Sequence, residues 1–327
     1  MAMPSSYQSV GLPASSGYTV FNGLLSPVFA KSFVNRLYAE SIHGRITDQS
    51  VVPTELRKSG DLAIMRRAPR GQMFRYFKNQ DLDHSTFNSE TFQFRVDKAW
   101  YWNLKLDEVD VTQIPELKEW IKAFQTDSLE QLAAQIDHDV IQDMVANAHN
   151  CNKGDRAGQR SHRYNLGKVG APLELTHGGT INPLTLTVAM SAVLREQNTP
   201  TKGMFIVWPS VVEPLFIANP ILANASASGL SRSSLVTGAV TEFQGMSHYF
   251  SANTPVYTDP VTGDTTYPVI MGVRTATGFV TQLTKQQVID NDPRSFARYW
   301  RGLQIGGWGV LRPELLAVAY VKVVGIF

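Results

Sequence analysis

One stretch of the sequence, Asp137-His138-Asp139, combines the side chains that bind divalent metal ions. Pairs of His and Asp also serve metal-dependent hydrolases. Neighbouring residues of a helix point in different directions, so one ion would require ligands from other elements that the sequence does not identify. We therefore interpret the three residues as part of a solvated helix face. A metal-dependent hydrolase that uses His138 and Asp139 is kept as a minor alternative.

Three other stretches match catalytic or nucleotide-binding motifs only in part. Residues 245–249, GMSHY, begin like a nucleophile elbow but end in Tyr, where the sharp turn of that motif needs glycine. Residues 158–169 have neither the glycine spacing nor the Ser or Thr of a phosphate-binding loop. The glycines of residues 302–309 follow a predicted helix and precede a predicted strand, the reverse of a dinucleotide-binding loop. We therefore predict no catalytic residue, no cofactor and no metal site, and expect that the protein is not an enzyme.

The composition indicates sizeable cores and no strong overall charge. The 327 residues exceed the usual single core, so we expect two regions that can be interleaved. Thirty Lys and Arg residues against 28 Asp and Glu give a net charge of +2, so any electrostatic argument must be local. The single cysteine, Cys151, fits a reducing compartment. With no signal-like start and no run of about 18 apolar residues, we expect a soluble protein made in the cytoplasm.

The longest helical pattern covers residues 127–148. Its apolar residues recur at steps of three and four and so share one face: Leu129, Leu132, Ala133, Ile136, Val140, Met144, Val145 and Ala148. The acids Asp137 and Asp143 belong to the opposite, polar face. Asp127 and Glu130 match a capping box, so we predict a helix about 33 Å long that begins there, after a separate short helix at 115–124.

A second pattern, with a period of two, covers residues 91–107. Apolar side chains occupy nearly all of the even positions: Phe92, Phe94, Val96, Trp100, Trp102, Leu104 and Leu106. The alternation predicts a strand of roughly 50 Å, about as long as the diameter of a compact chain of this size. With an upstream partner between Leu62 and Tyr76 it forms a long hairpin, whose aromatic face two strands cannot bury. We expect a neighbouring subunit to cover this face; the alternative is a hairpin that lies flat on the chain's own core.

The same hairpin carries five basic residues with no acid between Asp61 and Asp81: Arg66, Arg67, Arg70, Arg75 and Lys78. Together with Tyr76 and Phe77 they would suit a nucleic-acid site, in which aromatic rings stack on bases. The other interpretation, which we favour, is a solvated strand face or a face that pairs with acids of another subunit.

The remainder of the chain alternates short helices and strands. We predict helices at 26–42, ending at Gly44, at 183–196 behind the N-cap Asn182, at 210–220 and at 285–301. Strands are predicted at 203–209, between 241 and 280 with a turn at 259–264, and after Pro313, the last covered on both faces. The polar ends and connections are predicted as an arm at 1–25, a functional or mobile loop at 149–179 and an exposed loop at 225–234.

This order of features resembles the major capsid proteins of tailed bacteriophages, the Hong Kong 97-like fold. The closing stretch RGLQIGGWGVLRPELLAVAYV at 301–321 carries most of the resemblance, with TEFQGMSHYFSANTP at 241–255 and GVRTATGF at 272–279. The GDLAI strand at 60–64, followed by the long hairpin, belongs to the same order. The resemblance covers roughly residues 26–325 and implies an α+β fold.

The resemblance also implies a division of labour along the chain. A hairpin loop would extend over an adjacent subunit, and an axial domain would bring its tip loops together around the symmetry axes. A discontinuous peripheral domain would contain the spine helix at about 127–148, and the final strand would return to its sheet. The implied parts are an N-terminal arm (1–27), the peripheral domain (28–60, 99–181 and 311–327), the extended hairpin loop (61–98) and the axial domain (182–310).

The function implied by the resemblance is self-assembly into an icosahedral shell that encloses double-stranded DNA. The shell would consist of hexamers and pentamers, assemble in the host bacterial cytoplasm and become part of the virion. Implied partners are a scaffolding protein, a portal, a decoration protein and packaged DNA contacted non-specifically, with no membrane. Subunit contacts are predicted on the hairpin, with basic and acidic patches that set the register: Arg66, Arg67, Arg70, Arg75, Lys78, Asp81, Asp83, Glu90, Phe92 and Phe94.

Overall fold

The computed structural model describes residues 41–50, 62–66, 73–82, 84, 91–107, 117–176, 181–200, 203–219, 242–260, 263–289 and 296–324. The α-helices within these ranges are α1 (His43–Ile46), α2 (Leu117–Asn147), α3 (Pro183–Glu196) and α4 (Glu213–Ile217). The strands are β1 (Leu62–Arg66), β2 (Thr91–Arg95), β3 (Lys98–Asp107), β4 (Leu173–Leu175), β5 (Met204–Pro209), β6 (Glu242–Phe243), β7 (Met246–Ser251), β8 (Tyr257–Thr258), β9 (Thr265–Val273), β10 (Thr277–Ile289), β11 (Ala297–Val310) and β12 (Leu316–Val323). This mixture of helices and sheets confirms the predicted α+β class.

The chain divides into two compact units. Of the described residues, the smaller unit contains 102–107, 117–129, 286–289 and 296–301, and the larger unit contains the others. In the smaller unit, the ring of Trp102 packs edge-on against Phe124 and Trp300, with ring centres 6.1 and 5.1 Å away. Aromatic contacts therefore join strand and helix within this unit.

The larger unit is built on a seven-stranded sheet in the order β4-β12-β9-β5-β7-β6, with β8 paired to β9. β5 is buried along its whole length, as its apolar sequence predicts, and it pairs in parallel with β7 and antiparallel with β9. A strand alternates its side chains between the two faces of a sheet, so β5 contributes to two cores. Met204, Ile206 and Trp208 enter one core, and Phe205 and Val207 enter the other.

A helix covers each face of this sheet. α3 places Met190 and Leu194 in the first core, and α2 places Met144 in the second. The start of α3 is the predicted one, because the side chain of Asn182 accepts a hydrogen bond from the Thr185 amide at 2.9 Å and the Thr185 hydroxyl accepts one from the Asn182 amide at 3.0 Å. This capping box satisfies amides that the first helical turn leaves without partners.

α2 is longer than predicted. The two helices expected at 115–124 and 127–148 form one helix of 31 residues, Leu117–Asn147, so the capping box at Asp127 is wrong as a helix start. The hydroxyls of Thr126 and Ser128 donate to the carbonyl oxygens four residues earlier, at 3.1 and 2.8 Å, so these polar groups have partners within the helix. No helix in the described part of the chain is both long and apolar enough to span a bilayer.

The helix predicted at 285–301 is wrong. Residues up to Ile289 belong to β10 and residues from Ala297 onward belong to β11, in a three-stranded sheet of order β10-β11-β3. Pro293 lies inside the predicted helix, where its ring would break the hydrogen-bond ladder. The β-branched residues Val288 and Ile289 also favour a strand, and pairing within the sheet decides the outcome.

The ribbon predicted as one strand at 91–107 is two strands, β2 and β3, separated by Val96 and Asp97. The alternation itself is confirmed, because the even positions from Phe92 to Leu106 are buried or half-buried, except Lys98, while most odd positions are exposed. β2 pairs antiparallel with β1 and β3 pairs with β11, so the ribbon changes sheets at the break.

The glycine-rich part of β11 has a packing role. A Cβ atom on Gly307 would overlap the carbonyl oxygen of Arg95, and one on Gly306 would lie 2.9 Å from the carbonyl oxygen of Val280. Glycine is required here because neighbouring backbones approach too closely for any side chain. These residues lie within a strand, which agrees with the rejection of a dinucleotide-binding loop.

The final strand, β12, is buried on both faces as predicted. It lies between β4, to which it is parallel, and β9, to which it is antiparallel. β4 belongs to the region assigned to the peripheral domain, and β9 belongs to the region assigned to the axial domain. The return of the final strand to a peripheral sheet and the four-part division of the chain therefore remain predictions.

The connections also differ from expectation in places. α1 contains Gly44, so the predicted helix end at that residue is wrong, and Ser41 and Ile42 are not helical. Residues 26–40 of the predicted helix, the arm at 1–27 and the loop at 225–234 lie outside the described residues. The polar stretch after α2 is packed on the sheet, since Leu166 is fully buried and the side chain of Asn152 donates to the carbonyl oxygens of Glu314 and Leu316 at 2.9 Å. The turn at 259–264 closes with a hydrogen bond from the Asp259 amide to the carbonyl oxygen of Asp264.

Candidate assembly surface

Asp137, which the sequence assigns to a solvated helix face, is buried. Its side chain has no exposed surface. The carboxylate accepts hydrogen bonds from the amides of Ile42 and His43, both at 2.9 Å, and from the His43 ring at 2.7 Å. The helical pattern could not reveal this, because the covering residues lie more than 90 positions away in sequence.

Ser41, His43 and Asp137 form a cluster with the composition of a hydrolase triad. The Ser41 hydroxyl lies 2.8 Å from Nδ1 of His43, the same nitrogen that contacts the Asp137 carboxylate. A triad needs the nucleophile and the acid on opposite nitrogens of the ring, so that the imidazole can pass a proton. This cluster therefore cannot activate Ser41 in that way, and its geometry is that of an anchor.

The other candidate catalytic residues have structural partners. His138 Nδ1 lies 3.2 Å from the carbonyl oxygen of Asn253, and Asp139 accepts a hydrogen bond from Gln135 at 2.8 Å. His248 of the GMSHY stretch is buried and accepts a hydrogen bond from the Trp208 indole at 3.1 Å. Within the described ranges, no three His, Cys, Asp or Glu side chains are grouped to hold a metal ion.

The base of the hairpin has one face on the chain's own core. β1 and β2 pair antiparallel, with Met65 opposite Phe92 and Ala63 opposite Phe94. Phe94 is 2% exposed and packs with Val280 and further core residues, so its ring has no free face for a neighbour. Phe92 is half-buried against the same cluster. We therefore leave Phe94 out of the candidate surface.

The aromatic ribbon is covered mostly by its own chain, which corrects the expectation that a sister copy must shelter it. The ring of Trp100 stacks on Trp308, with ring centres 5.2 Å apart and planes 15° apart. In the smaller unit, Trp102 meets Trp300 as described above. The alternative of a hairpin on its own core is therefore right for this part, because β11 supplies the missing surface.

The hairpin tip, residues 73–82, differs from the base because every residue in it is exposed. Its apolar side chains are unusually open, with Met73 98% and Tyr76 66% exposed. With Leu62 and Ile64 at the hairpin base, it accounts for seven of the thirteen large exposed apolar side chains in the described part of the chain. Concentrations of exposed apolar side chains are typical of interaction sites, so the tip is the candidate surface.

Within the hairpin tip, a cationic group contacts an aromatic ring. The Arg75 guanidinium lies over the ring of Phe77, 5.3 Å from its centre. The Gln80 amide donates to the carbonyl oxygen of Phe77 at 3.1 Å, and Asn79 has a positive φ of 66° that closes the turn. A cavity of about 320 Å³ lies between the side chains of the tip.

The predicted charged contacts are described only in part. Arg66, Arg75, Lys78 and Asp81 are exposed, as a contact with another molecule requires. Arg67, Arg70, Asp83 and Glu90 lie outside the described residues. Pairing of basic and acidic patches between subunits therefore remains a prediction.

A charged groove of about 610 Å³ lies beside the hairpin base and was not predicted. Arg95, Asp97 and Lys98 line one side, and Asp139 and Asp143 of α2 line the other. Burial raises the pKa of Asp143 above its ordinary value, although the Asn147 amide and the Lys98 charge act in the opposite direction. The sequence does not predict this groove, because its acids lie on a helix and its bases on a strand, and the two come together only in the folded chain.

A scan of family models and a search of curated proteins find no match to this sequence. Solved structures do match. A capsid structure of the cyanophage P-SCSP1u superposes with a TM-score of 0.64 at 14% identity, covering 96% of this chain and 97% of that one. The mature capsid of bacteriophage PhiM1 gives a TM-score of 0.63 at 16% identity, covering 92% of both chains.

A structure from Mycobacterium phage Che8 gives a TM-score of 0.66 at 15% identity and covers 90% of this chain and 96% of that one. Coverage of nine-tenths or more on both sides means that the whole arrangement is shared, and not one motif. At these identities the likeness concerns the fold. The chain has the fold of phage capsid structures.

Proposed function

We propose that this chain is a major capsid protein that self-assembles into the icosahedral shell of a tailed phage around double-stranded DNA. The observation that carries the proposal is the fold shared with phage capsid structures along nearly the whole of both chains. The anchoring geometry at His43 agrees with a structural role.

The hairpin tip supplies the contact that a shell requires. Exposed rings at Phe74, Tyr76 and Phe77 lose water when a second copy covers them, which contributes about 25 cal/mol for each Å² of apolar surface buried. Each contact can be weak, because a closed symmetric lattice repeats it around every copy. Exposed Arg75 and Asp81 contribute register and specificity more than affinity.

The proposal extends to the wider assembly. Copies would form hexamers and pentamers, assembled in the host cytoplasm and retained in the virion, with Arg66 and Lys78 and the predicted residues Arg67, Arg70, Asp83 and Glu90 at the subunit boundary. A scaffolding protein, a portal, a decoration protein and packaged DNA are the proposed partners. The near-neutral net charge of +2 supports this, because repulsion between many copies is small.

The test is assembly of the full chain, followed by electron microscopy and sedimentation. Deletion of residues 78–90 is expected to leave a folded protein that forms no shells. Phe74→Ser with Tyr76→Ser should give the same result, while the matched control Val188→Ser with Val256→Ser, which changes exposed valines elsewhere, should assemble normally. Shells formed by the tip variants would overturn the role of the hairpin, and an unfolded deletion product would show that the tip belongs to the core.

A second candidate is a nucleic-acid-binding protein that uses the basic hairpin. Exposed Arg66, Arg75 and Lys78 and the exposed rings of Tyr76 and Phe77 on the same hairpin favour it. This function requires tight binding of DNA by unassembled protein that weakens steeply with salt. Fluorescence anisotropy with a labelled oligonucleotide at two salt concentrations distinguishes it from shell formation.

A further inference from the structure

In the segment of residues 41–50, here called the strap, the first residues share one buried hydrogen-bond acceptor on α2, the carboxylate of Asp137. Asp137 receives the amides of Ile42 and His43, the His43 ring and, at 3.2 Å, the Ser41 hydroxyl. The side chain of Asn253 adds a longer contact at 3.4 Å. A fully buried acid in the middle of a helix costs free energy unless donors surround it, and here the strap provides most of them.

Two further elements of the larger unit hold the other end of the strap. The Arg274 guanidinium donates to the carbonyl oxygens of Gly44 and Thr47 at 3.3 Å. The Asp48 amide donates to the carbonyl oxygen of Thr277, and the Phe279 amide donates to that of Asp48. The strap is therefore fastened at both ends, with Asp137 as the acceptor for its first residues.

The chemistry of this position calls for an anion. Three N–H donors converge on the carboxylate, and an ionised acceptor forms shorter and stronger hydrogen bonds than a neutral one. An asparagine in place of Asp137 would direct its own N–H₂ group toward at least one of these donors. The asparagine side chain would therefore accept fewer hydrogen bonds from the strap than the carboxylate does.

The strap precedes the hairpin in the chain, which suggests what its attachment to α2 does. Eleven positions separate residue 50 from the start of β1 at Leu62, where the hairpin begins. The other end of the hairpin continues from β2 into β3, which is paired with β11. We propose that Asp137 is a positioning residue that acts through the strap to fix the chain where it enters the hairpin, and that its removal opens the strap without unfolding the sheets.

The inference rests on the proposed function only for its consequence in assembly, because strap opening is measured without shells. Hydrogen exchange by mass spectrometry on the full chain compares Asp137→Asn with the control Asp139→Asn, whose carboxylate accepts from Gln135 on the same helix. Exchange of residues 41–48 should rise by roughly 10- to 100-fold in Asp137→Asn, and β5 and β12 should stay protected. The control should match the native protein.

A second variant keeps the test decisive if Asp137→Asn folds poorly. His43→Gln removes the ring contact but retains both amide bonds to Asp137, so its strap should open by a smaller factor. Equal exchange in the Asp137→Asn and Asp139→Asn strap would overturn the proposal, as would equal acceleration in β5 and β12. Assembly is measured separately. If the native chain forms no shells, the proposed function is contradicted, but the hydrogen-exchange result for the strap remains valid.

Discussion

The strap and the hairpin tip are two short segments of the larger unit that differ in burial. In the strap, Ile42 and Ile46 are buried in the core beneath α2, and the backbone amides have a buried acceptor. In the hairpin tip, every residue is exposed, although the rings of Tyr76 and Phe77 are larger than either isoleucine. The difference teaches that apolar residues alone do not identify a core. What matters is whether the same chain offers a surface to cover them.

The most direct test of this comparison truncates one apolar side chain in each segment. Ile46→Ala should lower the free energy of unfolding by about 3 kcal/mol, because it leaves a cavity in a fully buried site. Phe77→Ala should change it by less than about 0.5 kcal/mol, since the ring lies on the surface, but should reduce shell formation. Urea denaturation with a parallel assembly assay measures both. Equal losses of stability would show that the tip is part of a core.

A smaller effect separates the two acids of these regions. Asp137→Ala should cost about 2 kcal/mol, because buried donors are left without an acceptor. Asp81→Ala removes an exposed carboxylate and should leave stability within measurement error. Thermal denaturation of both variants provides the check. A stable Asp137→Ala protein would mean that water replaces the carboxylate in the strap.

The contact between β11 and the break in the ribbon tests the comparison further, because here the chain covers its own ribbon. Gly307→Ala should destabilise the protein by between about 1 and 2 kcal/mol, because its Cβ overlaps the Arg95 backbone. Gly309→Ala is the matched control, since its Cβ would lie 3.8 Å from the Phe94 ring, an ordinary contact. Unfolding midpoints in urea compare the two. If both variants are equally stable, the contact between β11 and the 95–96 segment is looser than described.

The smallest expected effect is a pH dependence with opposite signs for two acids. Burial opposes ionisation of Asp137, but hydrogen bonds from the His43 ring and the amides of Ile42 and His43 outweigh it and hold its pKa below the ordinary value. Its contribution to stability is therefore complete above the ordinary value of 3.8 and is lost as the pH falls through the lowered pKa. The raised pKa of Asp143 has the reverse effect, so stability rises as the pH falls through it.

These two contributions are separable by substitution. Unfolding measured between about pH 3 and 7 should lose its upper pH-dependent step in Asp143→Asn and its lower step in Asp137→Asn. The exposed acid in Asp81→Asn should leave the profile unchanged. If the stability–pH profile is identical in all three variants, the assignments of both Asp137 and Asp143 are contradicted.

Local patterns predicted the regular elements well. The period of two in residues 91–107 placed the even side chains inward, the apolar run at 203–209 became the central strand, and Asn182 began α3. The same reasoning failed at 285–301, where sheet pairing prevailed over local helical preference. It also joined two strands across Val96, because alternation continues where a chain changes sheets.

The candidate surface was predicted in outline and corrected in detail. The hairpin and its exposed tip follow from polar and aromatic residues without a local partner, and the tip is exposed as expected. The sequence predicts that a sister copy covers the ribbon, because two strands cannot bury its aromatic face. Trp300 and Trp308 of β11 cover it, and no local pattern indicates that a strand 200 residues later lies alongside.

The sequence by itself determined which residues alternate, which runs are apolar and where caps begin, because these depend on neighbours within a few positions. Only the tertiary structure decided that Asp137 is buried, that Gly307 must lack a side chain and that the ribbon is covered from within. Each of these depends on a group distant in sequence, which approaches only when the sheets have formed. Burial of a residue requires a second segment that covers it, and a local sequence pattern describes only the segment that contains the residue.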